Sequence, residues 1–239
     1  MPMKLLLIGI LLTELAFGIA NSQTVEIVKQ VSLSQSSADK RFEFLNSKTN
    51  VLSLTFVGTI KARGRDKMSS IPMLFFKLRD KAQEFGANCF KINSYDKGSN
   101  VKEAMLTLDV YSGTDQVLKN NSSYEEKNTI FVFLDDKNSA ENYTFNINEI
   151  ERKITSGTYY RYQIREKQNI SIDAGGFFDP QFKFRWKEGK APLFFTLTDF
   201  GLDKDAKDYD YAGKYFNTKR LNPIGKNVGQ LLVALIKPI

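Results

Sequence analysis

Ser70-Ile-Pro-Met-Leu-Phe-Phe-Lys-Leu-Arg-Asp-Lys-Ala-Gln-Glu-Phe-Gly86 is the stretch on which the reading of the fold turns. Ile71, Leu74, Phe75, Leu78, Ala82 and Phe85 fall at offsets 0, 3, 4, 7, 11 and 14, one apolar stripe of an α-helix. The ends agree with the stripe. Ser70 is a suitable N-cap, Pro72 sits in the first turn where no amide donor is needed, and Gly86 can take the left-handed conformation that closes a helix. On either side the period changes to two. Leu52, Leu54 and Phe56 alternate with Ser53, Thr55 and Val57, and Leu106, Leu108 and Val110 share one face of a run from Ala104 to Tyr111. Thr24 to Leu33 and Cys89 to Tyr95 read as two more strands, Ser34 to Lys40 as a loop and Asp96 to Asn100 as a turn. One helix packed across a small sheet is expected.

Further along, Gly113 to Asn128 is polar, carries no apolar period and reads as a linker. Beyond it the pattern is almost wholly β. Thr129 to Leu134, Tyr143 to Ile147, Thr158 to Ile164, Ile170 to Asp173, Phe182 to Trp186 and Leu193 to Leu197 are short β-branched and aromatic runs separated by turn residues, the spacing of a sandwich or small barrel. Val228 to Ile236 is a closing apolar segment, either a core strand or a short docked helix. The expected fold class is α+β, with a small mixed domain over 21–112, a linker over 113–128 and a mostly antiparallel β-sandwich over 129–239.

Two resemblances accompany this reading. Lys81-Ala-Gln-Glu-Phe-Gly-Ala-Asn-Cys-Phe-Lys-Ile92, with the element order over 51–111, resembles small bacterial YbjQ-type domains, which are described as heavy-metal-binding. No metal ligand carries over, because the chain has no histidine and one cysteine. Asn146-Ile-Asn-Glu-Ile-Glu-Arg-Lys-Ile-Thr-Ser-Gly-Thr-Tyr-Tyr160, with Ile170-Ser-Ile-Asp-Ala-Gly175 and Gly189-Lys-Ala-Pro-Leu-Phe-Phe195, resembles a bacterial β-sandwich domain found in exported proteins and lipoproteins. That likeness departs at Arg165-Glu-Lys-Gln168, where a Pro-Gly-Lys-His turn is usual, and implies fold rather than function. The Lys- and Asn-rich, histidine-free composition is similar to that of exported Bacteroidetes proteins.

The amino-terminal segment gives an address. Met1 to Lys4 carry positive charge, Leu5 to Leu12 are apolar apart from a glycine, and Gly18 and Ala20 stand at small-x-small spacing, the three regions of a secretory signal peptide. Eight such residues rise about 12 Å as a helix against a hydrocarbon core of about 30 Å, so a membrane span is disfavoured. Cleavage is expected after Ala20, with Ser22 as second choice, and no cysteine lies nearby for lipid attachment. A periplasmic or secreted protein, not a lipoprotein, is expected. In a eukaryotic route Asn120, Asn121, Asn142 and Asn169 would head glycosylation triplets; the bacterial reading gives them no such role.

Of the 239 residues, 34 are Lys or Arg and 27 Asp or Glu, a formal charge of +7. For an exported protein this favours anionic glycans, lipid head groups or an acidic envelope protein over nucleic acid. The missing histidine removes Ser-His-Asp and Cys-His catalysis and histidine-held zinc or haem together. Cys89, the lone cysteine, has no activating base and is expected to be buried. No phosphate-binding glycine loop is present in the sequence, and no cofactor is expected. Asp203, Asp205, Asp208 and Asp210 form an acidic cluster without EF-hand spacing, which reads as a solvated loop.

The most suggestive pattern lies on two of the strands. Alternation puts Phe182, Phe184 and Trp186 on one face and Lys183, Arg185 and Lys187 on the other, while Tyr160, Tyr162 and Ile164 oppose Arg161, Gln163 and Arg165. If both strands share a sheet, Arg161, Arg165, Lys183, Arg185 and Lys187 make one basic face over an aromatic core. Charged residues on strands also guard sheets against aggregation, the plainer reading of the same pattern. The function read from the sequence is a non-catalytic exported binding module of the bacterial envelope. The alternatives are an Asp/Glu-dependent hydrolase of envelope polymers, with two carboxylates in a cleft, and a structural subunit of an envelope assembly.

Overall fold

The computed structural model describes residues 23–30, 41–98, 103–135, 142–175, 181–197 and 221–239. The signal segment, the Ser34 to Lys40 loop, part of the Asp96 to Asn100 turn and the Asp203 to Asp210 cluster lie outside the described residues. Helix α1, Ile71–Glu84, forms as its stripe predicts. The Ser70 hydroxyl accepts from the Met73 amide, Pro72 lies in the first turn, and Gly86 takes a φ of 77° past the end. Leu74, Phe75, Leu78 and Ala82 are buried, each large side chain worth about 1.5–3 kcal/mol relative to exposure.

They press on a five-stranded sheet made of β1 (Thr24–Gln30), β2 (Glu43–Phe44), β3 (Thr55–Arg65), β4 (Cys89–Asp96) and β5 (Glu103–Ser112), in the order β1-β3-β5-β4-β2. Leu106, Leu108 and Val110 line its buried face as expected. One strand starts later than its alternation suggested. Val51–Ser53 is a single 3-10 turn, held by the Asn50 side chain accepting from the Leu52 amide at 3.0 Å, and Leu52 is 92% exposed. A bulge between Phe56 and Gly58 then resets the register, so the residues of β3 that meet the helix include Ile60 and Ala62, not the Leu52 and Leu54 stripe.

The stretch read as a linker contains helix α2, Asp115–Ser123. Leu118 packs with Leu45 and Cys89, and Asn121, only 2% exposed, accepts from the Asn46 amide and the Thr49 hydroxyl and donates to the Phe44 carbonyl. One leucine and one buried amide hold this helix, so it shows no apolar stripe.

The chain then builds two further sheets. The middle sheet has β6 (Thr129–Leu134), β9 (Thr158–Gln163), β12 (Leu193–Leu197), β13 (Leu221–Ile224) and β14 (Lys237–Pro238), in the order β13-β12-β6-β9-β14. The outer sheet, wholly antiparallel, has β7 (Asn142–Ile147), β8 (Ile150–Thr155), β10 (Asn169–Asp173) and β11 (Phe182–Arg185), in the order β11-β10-β7-β8. Strand β6 is buried along its whole length, which explains its unbroken apolar run. Ile130, Val132 and Leu134 join a core with Phe145, Ile147, Ile170 and Ile172 of the outer sheet. Phe131 and Phe133 join a different core, with Val228, Leu231 and Leu232 of helix α3, Lys226–Leu235, and with Phe90, Leu106 and Leu78 of the first sheet and its helix. The closing apolar segment is therefore a helix, wedged between the middle sheet and the first unit.

The fold is α+β with mostly antiparallel sheets. Among the described residues, no helix is long and apolar enough to cross a membrane.

Candidate functional site

The alternation read on the two basic strands is present, but the strands belong to different sheets. Strand β9 lies in the middle sheet and β11 at the edge of the outer one, with their aromatic faces turned into the core between them. Phe182 and Phe184 tilt against Phe195 at 5.3 and 5.7 Å, and Tyr160 meets Phe145 edge-on at 5.4 Å. Arg161 and the β11 cations therefore stand on strands of different sheets, each opposite a side-chain face that enters the shared core. Arg161 is instead paired with Glu126, Nε to Oε2 at 2.7 Å. Arg165 is exposed in the turn after β9, its amide donating to the Gln168 side chain.

Lys183 and Arg185 do come together. Register pairs Ser171 with Lys183 and Asn169 with Arg185, so two cations and two neutral polar side chains alternate across adjacent strands. Asn148, in the β7–β8 turn at a φ of 51°, accepts the Ser171 amide on its side-chain oxygen at 2.8 Å and closes the third side. These residues line a shallow depression of about 510 Å³ on the outer sheet, and no carboxylate is among its described lining residues.

The turn after β11 extends the positive charge. Lys187 is exposed; its amide donates to the Asn128 side chain at 3.1 Å, and its carbonyl accepts from the Lys190 amide at 3.0 Å. This turn folds the Lys190 ammonium over the Phe184 ring, 5.3 Å from its centroid, and within 3.4 Å of the Arg185 carbonyl. Burial, and then the Lys187 charge, lower the Lys190 pKa from its ordinary value. Of the five sequence candidates, the depression thus unites Lys183 and Arg185, has Lys187 in the adjoining turn, and leaves Arg161 on another sheet. Sequence reasoning missed Lys190, Asn148, Asn169 and Ser171. The Lys187-Glu-Gly-Lys190 turn was the one available signal, with Gly189 supplying the positive φ of 68°.

Elsewhere, Cys89 is fully buried, its thiol donating to the Tyr111 carbonyl at 3.5 Å. Glu125, whose side chain is 4% exposed, is held by Lys226 at 2.7 Å and Lys127 at 3.4 Å. Together with the Asn227 side chain, which accepts the Phe44 amide at 3.1 Å, this pairing ties helix α3 to the turn before β6 and to β2. Among the described residues, no three His, Cys, Asp or Glu side chains converge as metal ligands would. Compared with known proteins, the chain matches no family model, no curated protein and no solved structure.

Proposed function

We propose that this protein is a non-catalytic binding module, exported to the bacterial envelope, that recognises an anionic partner through the depression on the outer sheet. The depression carries the reading: Lys183 and Arg185 stand beside Asn148, Asn169 and Ser171 with no carboxylate among the described lining residues. Two cations beside a shallow concavity that also includes Ile170 and Phe184 attract a spread-out negative charge, and the neutral amides and hydroxyl can exchange hydrogen bonds with sugar or phosphate oxygens. In this reading the middle and outer sheets form a β-sandwich that presents the depression, and the first sheet with α1 forms a second domain. The signal-like segment supports export.

The test is a pull-down of residues 21–239 from detergent-solubilised envelope of the source cell, with Lys183→Glu/Arg185→Glu and Arg161→Glu variants in parallel. A polymer or protein captured by the parent and by Arg161→Glu, but lost with the double variant, is the expected result. Equal capture by all three would remove the depression from the function.

A further inference from the structure

Strand β1, at 7 residues the longest described edge strand of the three sheets, pairs on one side only, with β3. Its outer row of amides and carbonyls meets no other strand among the described residues, which makes it a template for pairing. The strand is firmly seated. Gln23 Nε2 donates to the Met73 carbonyl of α1 at 2.9 Å, and Lys61 holds Glu26 at 3.1 Å. A bulge between Ile27 and Lys29 makes Val28 the extra residue, and β3 approaches so closely there that a Cβ at Gly58 would lie 2.5 Å from the Lys29 carbonyl oxygen. The bulge aligns the two charges of β1. Glu26 is in register with Lys61 and Lys29 with Thr59, positions that share one face of β3, so both charges stand on the face away from α1. The Glu26 side chain is 65% exposed, and Lys29, also exposed, pairs with no carboxylate among the described residues. Between them Ile27 and Val28 are 40% and 51% exposed.

We propose that β1 is a self-association edge: a second copy of this chain adds its own β1 antiparallel to the first, about a dyad between Ile27 and Val28. In that register Glu26 opposes the second copy's Lys29, Lys29 opposes the second copy's Glu26, and Ile27 opposes Val28. No other antiparallel self-register sets opposite charges face to face, because β1 carries one of each sign. The exposed apolar pair and the charge pair thus select the same dyad from separate observations. Bulges and lysines also guard strand edges against pairing, the plainer reading of the same features. A guarding lysine acts by leaving its charge unmatched in the pairing that it blocks. Here antiparallel pairing supplies the match from position 26, twice, and opposite-charge cross-strand pairs stabilise a sheet where like charges destabilise it.

Sedimentation equilibrium of residues 21–239, from about 1 μM to about 1 mM, is expected to show a monomer–dimer equilibrium for the parent. Glu26→Lys and Lys29→Glu each set like charges opposite one another twice, and each is expected to weaken self-association about tenfold or more. An equimolar mixture of the two variants restores both opposite-charge pairs and is expected to dimerise within about threefold of the parent, with cooperative melting confirming that each variant is folded. Hydrogen exchange on the parent alone gives a second readout: the amides from Glu26 to Lys29 are expected to slow about tenfold or more across the same concentration range. A parent that stays monomeric at about 1 mM would overturn the proposal, as would equal self-association of the parent and both single variants. So would a mixture no tighter than either folded variant alone, or a dimer whose β1 amides exchange as fast as the monomer's.

Discussion

At the scale of single residues, burial decides what the ionisable groups can do. Burial first, and the negative charge of Glu43 second, push the Cys89 thiol from its ordinary value of 9.0 up to about 12. The thiol is therefore expected to resist alkylation at pH 8 in the folded protein and to react once the chain is unfolded, a contrast that a thiol-reactive dye measures directly. The same shift has a sign for stability. Below pH 9 the thiol is neutral in both states and its contribution is complete; between 9 and 12 only the unfolded thiol ionises, so stability falls by about 1.4 kcal/mol per pH unit. Denaturant titrations at several alkaline pH values should show a shallower decline for Cys89→Ala, and identical slopes would contradict this assignment.

Glu125 makes the opposite case, a buried charge retained because it is paired. Glu125→Ala leaves Lys226 facing an emptied site, and is expected to cost about 2 kcal/mol, less than the roughly 3–5 of a fully buried pair because the lysines are a third exposed. The shift of the denaturation midpoint measures it. The fate of Cys89 was legible from its type and from the missing histidine. Asn121 and Asn128 were not, because a buried asparagine that satisfies backbone groups looks in sequence like an ordinary loop residue.

At the scale of elements, Gly229 fixes how closely helix α3 approaches the middle sheet. A Cβ there would lie 2.1 Å from Cγ of Phe194, a ring already stacked on Phe131. Gly229→Ala is expected to lower stability by about 1–3 kcal/mol through overpacking, read as a drop in Tm. Leu52→Ser, on the exposed 3-10 turn, is expected to stay within about 0.5 kcal/mol of the parent. That pair of variants separates the observed β3 from the one its alternation suggested, since a core leucine at position 52 would make Leu52→Ser the costlier change. Helix α1 could be read because a continuous stripe pays for it. Helix α2 could not, since its anchors are Leu118 and Asn121, nor could β8, whose Ile150 is exposed and whose centre is Glu-Arg-Lys. The contacts that hold α2 come from residues distant in sequence, whereas β8 is held by its hairpin with β7, which its polar centre does not announce.

At the scale of the whole molecule, three sheets and α3 form a stack in which the middle sheet is covered on both sides. This arrangement sets the electrostatic layout. The basic depression lies on the outer sheet, a largely apolar cavity lies where α3 meets β2, β6 and β12, and the core shared by the middle and outer sheets separates the two. Strand alternation, and with it the charged side of each strand, was legible from local sequence. Sheet membership was not, because pairing β9 with β6 and β11 with β10 joins segments through contacts that no local period encodes. The five-residue basic face dissolves for that reason, while Lys183 and Arg185 survive as neighbours on one strand.

The most direct measurement is equilibrium binding of an immobilised acidic polysaccharide to the parent, Lys183→Glu/Arg185→Glu and Arg161→Glu at low ionic strength. If the outer sheet carries recognition, the double variant binds about tenfold or more weakly and Arg161→Glu stays within about twofold of the parent, with parent affinity falling as salt rises. Equal weakening by both variants would mean that net charge alone is responsible, and it would contradict a site on the outer sheet.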